Sequence, residues 1–325
     1  MAWARSCSWA AATTASSARR WSASALTEAE FLAALRKLPL HSGAGGLTDD
    51  TAVLSNLVIT TDTLVEGVHF LALDPPADVA WKLLATNLSD LAAKGATVEG
   101  ILLNYPLRDD AWDRAFLAGF DEALRTFAAR LVGGDTVSLP PGAPRVLTLT
   151  AFGSDAAAPP RSGAKAGDTL WVTGTIGDAG AGLAIAQGVQ GPAELLAAYR
   201  RPVPRLAEGR ALARHVHAMM DVSDGLLLDA SRMAAASGLA VAIDLGAVPL
   251  SPAYQALGGD ALTAATAGDD YELLFAAPAG FAPPVPAAPI GRFAPGAGLS
   301  LHHRGGPVPL PERLGFEHAC ASPAP

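Results

Sequence analysis

The residues of this 325-residue chain that could do chemistry are mainly acidic, and they recur where strand-like segments end. Five acidic segments share small, hydroxylic or apolar neighbours: Thr48-Asp49-Asp50-Thr51-Ala52, Thr60-Thr61-Asp62, Asn87-Leu88-Ser89-Asp90, Gly133-Gly134-Asp135-Thr136 and Asp221-Val222-Ser223-Asp224-Gly225. Hard cations such as Mg²⁺ select carboxylate and hydroxyl oxygens. Any one segment could be an ordinary helix cap or turn. Five of them together favour one shared cation site.

None of the five acidic segments contains Lys, Arg or His. Carboxylates that meet without a basic partner repel one another, and a bound cation relieves that repulsion. Charged residues make up only 17% of the chain, so basic partners are scarce elsewhere too. We therefore expect metal ions, rather than basic side chains, to balance these acids.

Missing motifs exclude several enzyme classes. No lysine follows a glycine, which rules out a P-loop nucleotidase, and no Gly-x-Ser-x-Gly elbow, His-Arg-Asp loop or His-Glu-x-x-His helix occurs. The net charge of -8 argues against nucleic acid and anionic membrane surfaces as partners. Cys7 and Cys320 belong to no Cys-x-x-Cys pair, which fits a reducing cytoplasm.

Alternating strand-like and helix-like patterns must position the acidic segments, and they predict a chain of the α+β class. The predicted strands are residues 57–61, 98–103, 145–152, 169–173 and 218–222, and the predicted helices are 80–91, 111–131, 179–187 and 226–236. Gly133-Gly134 could be a plain turn after the long second helix. Proline and alanine dominate residues 276–295, which predicts loops there.

The length and the 50% hydrophobic content fit two domains, each able to bury its own core. The stretch Ala156-Ala157-Ala158-Pro159-Pro160 is the expected boundary, which divides the chain into residues 25–155 and 156–325. Residues 1–24 are rich in Ala, Ser and Arg and lack acids. We interpret them as a disordered tail, a transit peptide or an upstream mis-start that takes no part in the fold.

Seven motifs, in order across residues 45–320, resemble the thiamine-monophosphate kinase family. They are Asp49-Asp50-Thr51-Ala52, Thr61-Asp62-Thr63-Leu64-Val65-Glu66-Gly67-Val68-His69-Phe70, Asn87-Leu88-Ser89-Asp90-Leu91-Ala92-Ala93, Gly133-Gly134-Asp135-Thr136, Arg161-Ser162-Gly163-Ala164-Lys165-Ala166-Gly167-Asp168, Asp221-Val222-Ser223-Asp224-Gly225-Leu226 and Gly268-Asp269-Asp270-Tyr271-Glu272-Leu273. The block that ends in His69-Phe70 is specific, because related synthetases share the metal aspartates without it.

The resemblance implies ATP-dependent phosphorylation of thiamine monophosphate to thiamine diphosphate. It implies an aminoimidazole ribonucleotide synthetase-like fold of two domains, each a mixed sheet covered by helices. The first domain would form a homodimer, and ATP and several Mg²⁺ ions would lie between the domains. Carried over residue by residue, the metal ligands would be Asp50, Thr60, Thr61, Asp62, Asp90, Asp135, Asp221 and Asp224, the ATP contacts Gly134, Asp135, Arg161 and Ser223, and the substrate contacts His69, Asp269 and Phe316.

This chemistry needs no general base, because a phosphate monoester with a second pKa near ~6 is already largely ionised at neutral pH. The main obstacle is repulsion between two phosphate groups, which bound metal ions reduce. Arg161 offers a planar, permanently charged fork to phosphate oxygens. His69 could contact the substrate or be structural, and Phe316 could stack on a substrate ring or anchor the end of the chain.

Two residues depart from the family pattern: Thr48 replaces a usual glycine, and Asp269 replaces a usual Glu. The shorter acid at 269 is expected to need a bridging water to reach the substrate. Two alternatives stay open, namely another synthetase of the same fold, selenophosphate or aminoimidazole ribonucleotide synthetase-like, and a non-catalytic Mg-nucleotide sensor. Cys7 lies outside any glycine-rich segment, which disfavours selenium chemistry.

Overall fold

The computed structural model describes residues 27–318, so the proposed tail 1–24 and the residues Cys7 and Cys320 lie outside the described part. The strands are β1 Ala52–Leu54, β2 Leu57–Val65, β3 Thr97–Leu107, β4 Leu131–Ser138, β5 Val146–Ser154, β6 Thr169–Thr173, β7 Ala218–Asp221, β8 Leu239–Asp244, β9 Leu273–Ala277, β10 Ala287–Pro295, β11 Gly298–His303 and β12 Gly306–Val308. The helices are α1 Glu28–Leu35, α2 Pro76–Ala93, α3 Asp110–Thr126, α4 Asp178–Ala186, α5 Ala193–Arg200, α6 Leu206–Leu212, α7 Leu226–Ala236, α8 Pro252–Ala256 and α9 Ala261–Thr266. None of these helices is long and apolar enough to span a bilayer.

The first sheet has the strand order β1-β2-β5-β3-β4 and is antiparallel except for the β3–β4 pair. Its inward residues, such as Leu147 and Leu149 on β5, pack beneath α2 and α3. The opposite face is polar, and there Thr150 Oγ1 donates to Thr61 Oγ1 over 3.0 Å. This alternation along the strands is what an antiparallel sheet with one packed face requires.

The second sheet has seven strands in the order β12-β11-β8-β10-β6-β9-β7. On β9, Leu274 and Ala276 join a core with α7, whereas Leu273 and Phe275 pack on the other side against the end of α2. Both faces of β9 are therefore covered, which explains why it reads as a continuous apolar run.

Helix α2 lies between the two sheets, and every side chain from Leu83 to Ala93 is buried. Pro76 at its first position supplies the φ angle that a helix start needs. Helix α6 approaches it closely at Gly209, where a Cβ would lie 1.9 Å from Ala92 O. Side chains of α2 can therefore reach groups of both domains.

The sequence predictions failed at two places. Helix α3 ends at Thr126, and the Gly133-Gly134 pair lies within strand β4 rather than in a turn. The region 276–295, predicted as loops, contains strand β10, which pairs with both β6 and β8. Pro289 borders an irregularity in that pairing and Pro295 ends the strand, so neither ring interrupts a regular ladder. Tertiary pairing outweighs local propensity here.

Candidate active site

A cleft of about 770 Å³ lies between the two domains. It brings together most of the residues singled out in the sequence. The predicted site residues that line it are Asp50, Thr61, Asp62, His69, Asp90, Asp221, Ser223, Asp224, Asp269 and Phe316. We call Asp50, Asp62, Asp90, Asp221 and Asp224 the acidic cluster.

The first domain contributes acids from β2 and α2. Asn87 Oδ1 accepts a hydrogen bond from the Asp62 backbone N–H over 3.1 Å, which fixes the strand against the helix. Thr60 does not line the cleft itself, but its hydroxyl donates to the buried Asp90 carboxylate. Asn87 and Asp90 share one face of α2 because they are three residues apart.

The second domain contributes acids from the end of β7 and the turn that follows it. Asp221 is buried, and Ser89 Oγ of α2 donates to its Oδ2 over 2.6 Å. The buried Asp229 carboxylate accepts the backbone N–H groups of Ser223 and Asp224 over 3.1 and 3.0 Å. These bonds fix the Ser-Asp turn at the start of α7.

Three carboxylates of the acidic cluster, those of Asp62, Asp90 and Asp221, have raised pKa values. Burial, followed by the charges of Asp50 and Asp224, raises the pKa of Asp62 to about 6. Burial and the charge of Asp50 raise the pKa of Asp221 to about 8. Burial and the neighbouring acids also raise the pKa of Asp90. Without bound cations, full ionisation of this cluster at neutral pH is therefore unfavourable.

The expectation that no basic side chains balance the acids was wrong. The Arg161 guanidinium donates to Asp50, the Arg232 guanidinium pairs with Asp224, and Lys94 Nζ lies 2.6 Å from Asp49 Oδ1. Arg161 is 111 residues from Asp50 in the sequence, and Arg232 lies outside the acidic segments, so the segments themselves gave no sign of either partner.

The acidic cluster has the oxygen donors of a hard-cation site, but its side chains are turned towards these local partners. Within residues 27–318, no three Asp, Glu, His or Cys side chains stand in an arrangement that could hold a metal ion. Asp50 Oδ2 is nevertheless buried without a hydrogen-bond partner. A buried carboxylate oxygen without a hydrogen-bond partner, next to several other acids, fits Mg²⁺, which takes oxygen ligands.

The predicted substrate residues His69, Asp269 and Phe316 line the same cleft. His69 Nδ1 accepts the Val65 backbone N–H over 3.0 Å, so the neutral ring carries its proton on Nε2. Burial and the neighbouring His318 lower the pKa of His69. The Phe316 backbone N–H donates to Asp224 O over 2.9 Å, which holds the end of the described chain against the cleft.

Gly134 and Asp135 do not reach the cleft within one chain. They lie on β4, at the edge of the first sheet, and β5 and β3 separate β4 from β2. Three strand spacings amount to roughly 14 Å. A Cβ at position 134 would lie 1.8 Å from Leu103 O, so the glycine allows the close β3–β4 pairing. Arg161 lies next to the cleft through its contact with Asp50.

Sequence reasoning missed three residues: His318, which lines the cleft, and Lys82 and Ser89, which lie behind it and each contact a lining residue. Ser89 belongs to a quoted motif, and its position one residue before Asp90 puts it on the helix face towards the second domain. Lys82 pairs with Asp269, 187 residues away, and no local pattern could have shown that contact.

Comparison with known families agrees with the two-domain architecture. The family described as "AIR synthase related protein, N-terminal domain" matches residues 48–154, and its C-terminal counterpart matches residues 165–299. The thiamine-monophosphate kinase of Caulobacter vibrioides is 40% identical over an alignment of 326 positions, which covers 90% of this chain and 91% of that protein. The Salmonella typhimurium enzyme of the same name is 41% identical over 251 positions, covering 72% and 76%.

Solved structures give the same result. A structure described as "AaThiL complexed with AMPPCP and TMP" superposes with a TM-score of 0.79 at 29% identity, covering 93% of this chain and all of that one. Thiamine-monophosphate kinase from Stenotrophomonas maltophilia gives a TM-score of 0.70 at 35% identity, covering 86% and 96%. Hydrogenase maturation protein HypE, at 21% identity and a TM-score of 0.65, shares the fold. The extent of identity with curated relatives shows that this chain belongs to the thiamine-monophosphate kinase family.

Proposed function

We propose that this chain transfers the γ-phosphate of ATP to thiamine monophosphate and forms ADP and thiamine diphosphate. The observation that carries the proposal is a single cleft lined both by the acidic cluster and by His69, Asp269 and Phe316. A related structure is complexed with an ATP analogue and TMP together. In-line transfer needs the two phosphate-bearing substrates held next to each other in one such cleft.

The acceptor phosphate is its own nucleophile, so the chain needs to bind and orient it rather than to remove a proton. The Nε2–H of neutral His69 is available to donate to a phosphate oxygen, since Nδ1 is already engaged by the Val65 N–H. Phe316 is 46% exposed beside the cleft and can stack on a flat heteroaromatic ring.

The donor phosphates are proposed to bind Arg161 and Ser223. Arg161 is half-buried next to the cleft, and its guanidinium donates to Asp50. A planar, permanently charged guanidinium in this position is suited to bind a phosphate oxygen. Ser223 lies at the start of α7, where the turn after β7 enters the cleft.

The proposed cofactor is Mg²⁺, with several ions bound in the cleft. The residues that would hold it are Asp50, Thr60, Thr61, Asp62, Asp90, Asp135, Asp221 and Asp224. Bound there, it would neutralise the charge of the phosphate groups that meet in the cleft. The raised pKa values of Asp62 and Asp221 support this proposal, because a cation would allow these acids to ionise.

A homodimer is proposed to complete the site. All eight residues of β4 are exposed, and the edge includes the apolar Leu131, Val132 and Val137. An unpaired strand edge with apolar side chains is a surface that a second copy can cover. Because Asp135 is remote from its own cleft, the proposal places Gly134 and Asp135 of each copy at the cleft of the other.

A coupled ADP-release assay separates the candidate functions. Purified protein is given ATP, Mg²⁺ and, in parallel, thiamine monophosphate, thiamine, an aminoimidazole precursor or selenide. We expect ADP release with thiamine monophosphate and with none of the other acceptors. The protein would then be a cytoplasmic enzyme of cofactor synthesis. Turnover of another acceptor would favour a different synthetase, and ATP binding without ADP release would favour a nucleotide sensor.

A further inference from the structure

Lys82 is an unusual residue because its ammonium group is buried at the junction of the two domains. It lies on α2, and its side chain is 2% exposed. Nζ donates to His69 O over 3.0 Å and to Asp269 Oδ2 over 2.7 Å. It also lies 4.1 Å from the centre of the Tyr199 ring, a cation–π contact that stabilises the charge.

The two oxygens that Lys82 binds belong to different domains and to different substrate loops. His69 belongs to the loop after β2, and Asp269 belongs to the turn before β9. Tyr271 OH donates to the other Asp269 oxygen over 2.9 Å, so the carboxylate is held from two sides. Asp269 has a φ of 69°, in the left-handed region, which shows that this turn is not positioned by local preference alone.

Lys82 does not itself line the cleft, whereas His69 and Asp269 do. A buried lysine has a high desolvation cost, which only a matched set of acceptors compensates. Its contacts therefore act on two residues that face the proposed acceptor substrate. The pairing also leaves this end of the cleft with less negative charge than a lone carboxylate would give, which suits a phosphate-bearing acceptor.

We propose that Lys82 is a positioning residue for the acceptor end of the cleft: its ammonium group ties the His69 loop to Asp269 and thereby fixes the two substrate contacts relative to each other. This inference rests on the proposed function. It means that Lys82 contributes to substrate specificity without contacting the substrate.

The test compares four proteins: wild type, Lys82→Met, Asp269→Asn and the double variant. Loss of positioning is expected to raise the KM for thiamine monophosphate about tenfold in Lys82→Met, with the KM for ATP unchanged within about twofold. If Lys82 acts through Asp269, the double variant is no worse than the more affected single variant. Multiplying effects, or an unchanged KM for thiamine monophosphate in Lys82→Met, would overturn the inference.

Lys94→Met is the matched control. Lys94 is the residue directly after α2, is 1% exposed, and pairs with Asp49, which also accepts the backbone N–H of Arg161. If both buried lysines are merely structural, the melting temperature and kcat should fall by similar amounts in the two variants. Positioning predicts instead that only Lys82→Met changes the KM for thiamine monophosphate, while Lys94→Met affects the KM for ATP.

Three further outcomes are decided by the same set of variants. If Lys82→Met does not fold, the double variant, which buries no unpaired charge, is compared with Asp269→Asn. Equal KM values for thiamine monophosphate support the inference, and a higher KM in the double variant overturns it. Wild-type protein that releases no ADP with thiamine monophosphate would refute the proposed function, and the inference with it. An active wild type with an unaffected Lys82→Met refutes the inference alone.

Discussion

The hydroxyl of Ser89 on α2 donates to Asp221 at the end of β7 over 2.6 Å, and this bond joins the first domain to the second next to the cleft. Both residues are buried. The bond lowers the pKa of Asp221, which burial and the charge of Asp50 otherwise raise to about 8. Domain contact and ionisation of the acidic cluster are therefore linked through one hydroxyl group.

Replacement of Ser89 by Ala is expected to weaken the proposed metal site. Loss of a hydrogen bond to a charged group costs about 1.5 kcal/mol, so the Mg²⁺ concentration for half-maximal activity rises about tenfold. A Mg²⁺ titration of ADP release measures this. Ser154→Ala removes another hydroxyl–carboxylate contact, between the buried Ser154 and the exposed Glu99 outside the cleft, and should leave the Mg²⁺ requirement unchanged. Equal shifts in both variants would contradict the assignment.

Asp62→Asn is expected to lower turnover at least about a hundredfold. A neutral amide cannot replace a carboxylate that binds cations, and those cations stabilise the transition state by several kcal/mol. The fold should persist. Since burial and neighbouring acids oppose ionisation of Asp62, the melting temperature in EDTA should stay equal or rise. Near-normal activity at saturating Mg²⁺ would show that Asp62 is not a ligand.

The metal-free protein should become less stable as pH rises. The folded-state pKa values of Asp62, about 6, and Asp221, about 8, lie above the ordinary value of 3.8, so the folded state binds more protons than the unfolded state between these limits. The free energy of unfolding therefore falls as pH increases from about 4 to about 8.

Scanning fluorimetry in EDTA measures this slope. Mg²⁺ competes with protons for the same oxygens, so its stabilising effect should grow over the same pH range. Asp221→Asn should flatten the slope. A stabilisation by Mg²⁺ that is the same at pH 6 and pH 8 would argue against these carboxylates as ligands.

Asp269→Glu tests the residue at which this chain departs from its family. The aspartate already reaches Lys82 Nζ at 2.7 Å, so a longer side chain must shift within the substrate end of the cleft. We expect the KM for thiamine monophosphate to change about fivefold, equivalent to ~1 kcal/mol, with the ATP and Mg²⁺ dependences unaffected. A changed Mg²⁺ requirement would place Asp269 in the metal site instead.

Mixing two inactive variants tests the shared site. If Asp135 serves the cleft of the second copy, a heterodimer of Asp62→Asn and Asp135→Asn subunits contains one fully intact site. Random reassociation should then restore about a quarter of wild-type activity. No recovery after proven subunit exchange would mean that Asp135 acts within its own chain or not at all.

Local pattern was sufficient for part of the fold. Strand β6 and helix α7 have the predicted bounds, 169–173 and 226–236, because their apolar spacing agrees with their burial. Strand β10 was missed because its proline-rich sequence is weak in local propensity and its two neighbours in the sheet stabilise it.

The sequence predicted those parts of the candidate site for which the residue types alone indicate the chemistry. Acids beside hydroxyl groups indicated a cation site, and the cleft gathers Asp62, Asp90 and Asp221. Contacts such as Lys82–Asp269 and Ser89–Asp221 were not predictable, because each joins residues more than a hundred positions apart across the two domains.

The most direct test of the central claim is the product formed by wild-type protein from ATP, Mg²⁺ and thiamine monophosphate, identified by chromatography and mass spectrometry alongside ADP. The account predicts equal amounts of thiamine diphosphate and ADP. Because the reaction needs no general base, His69→Gln should raise the KM for thiamine monophosphate without lowering kcat. ADP released with inorganic phosphate and no thiamine diphosphate would contradict it.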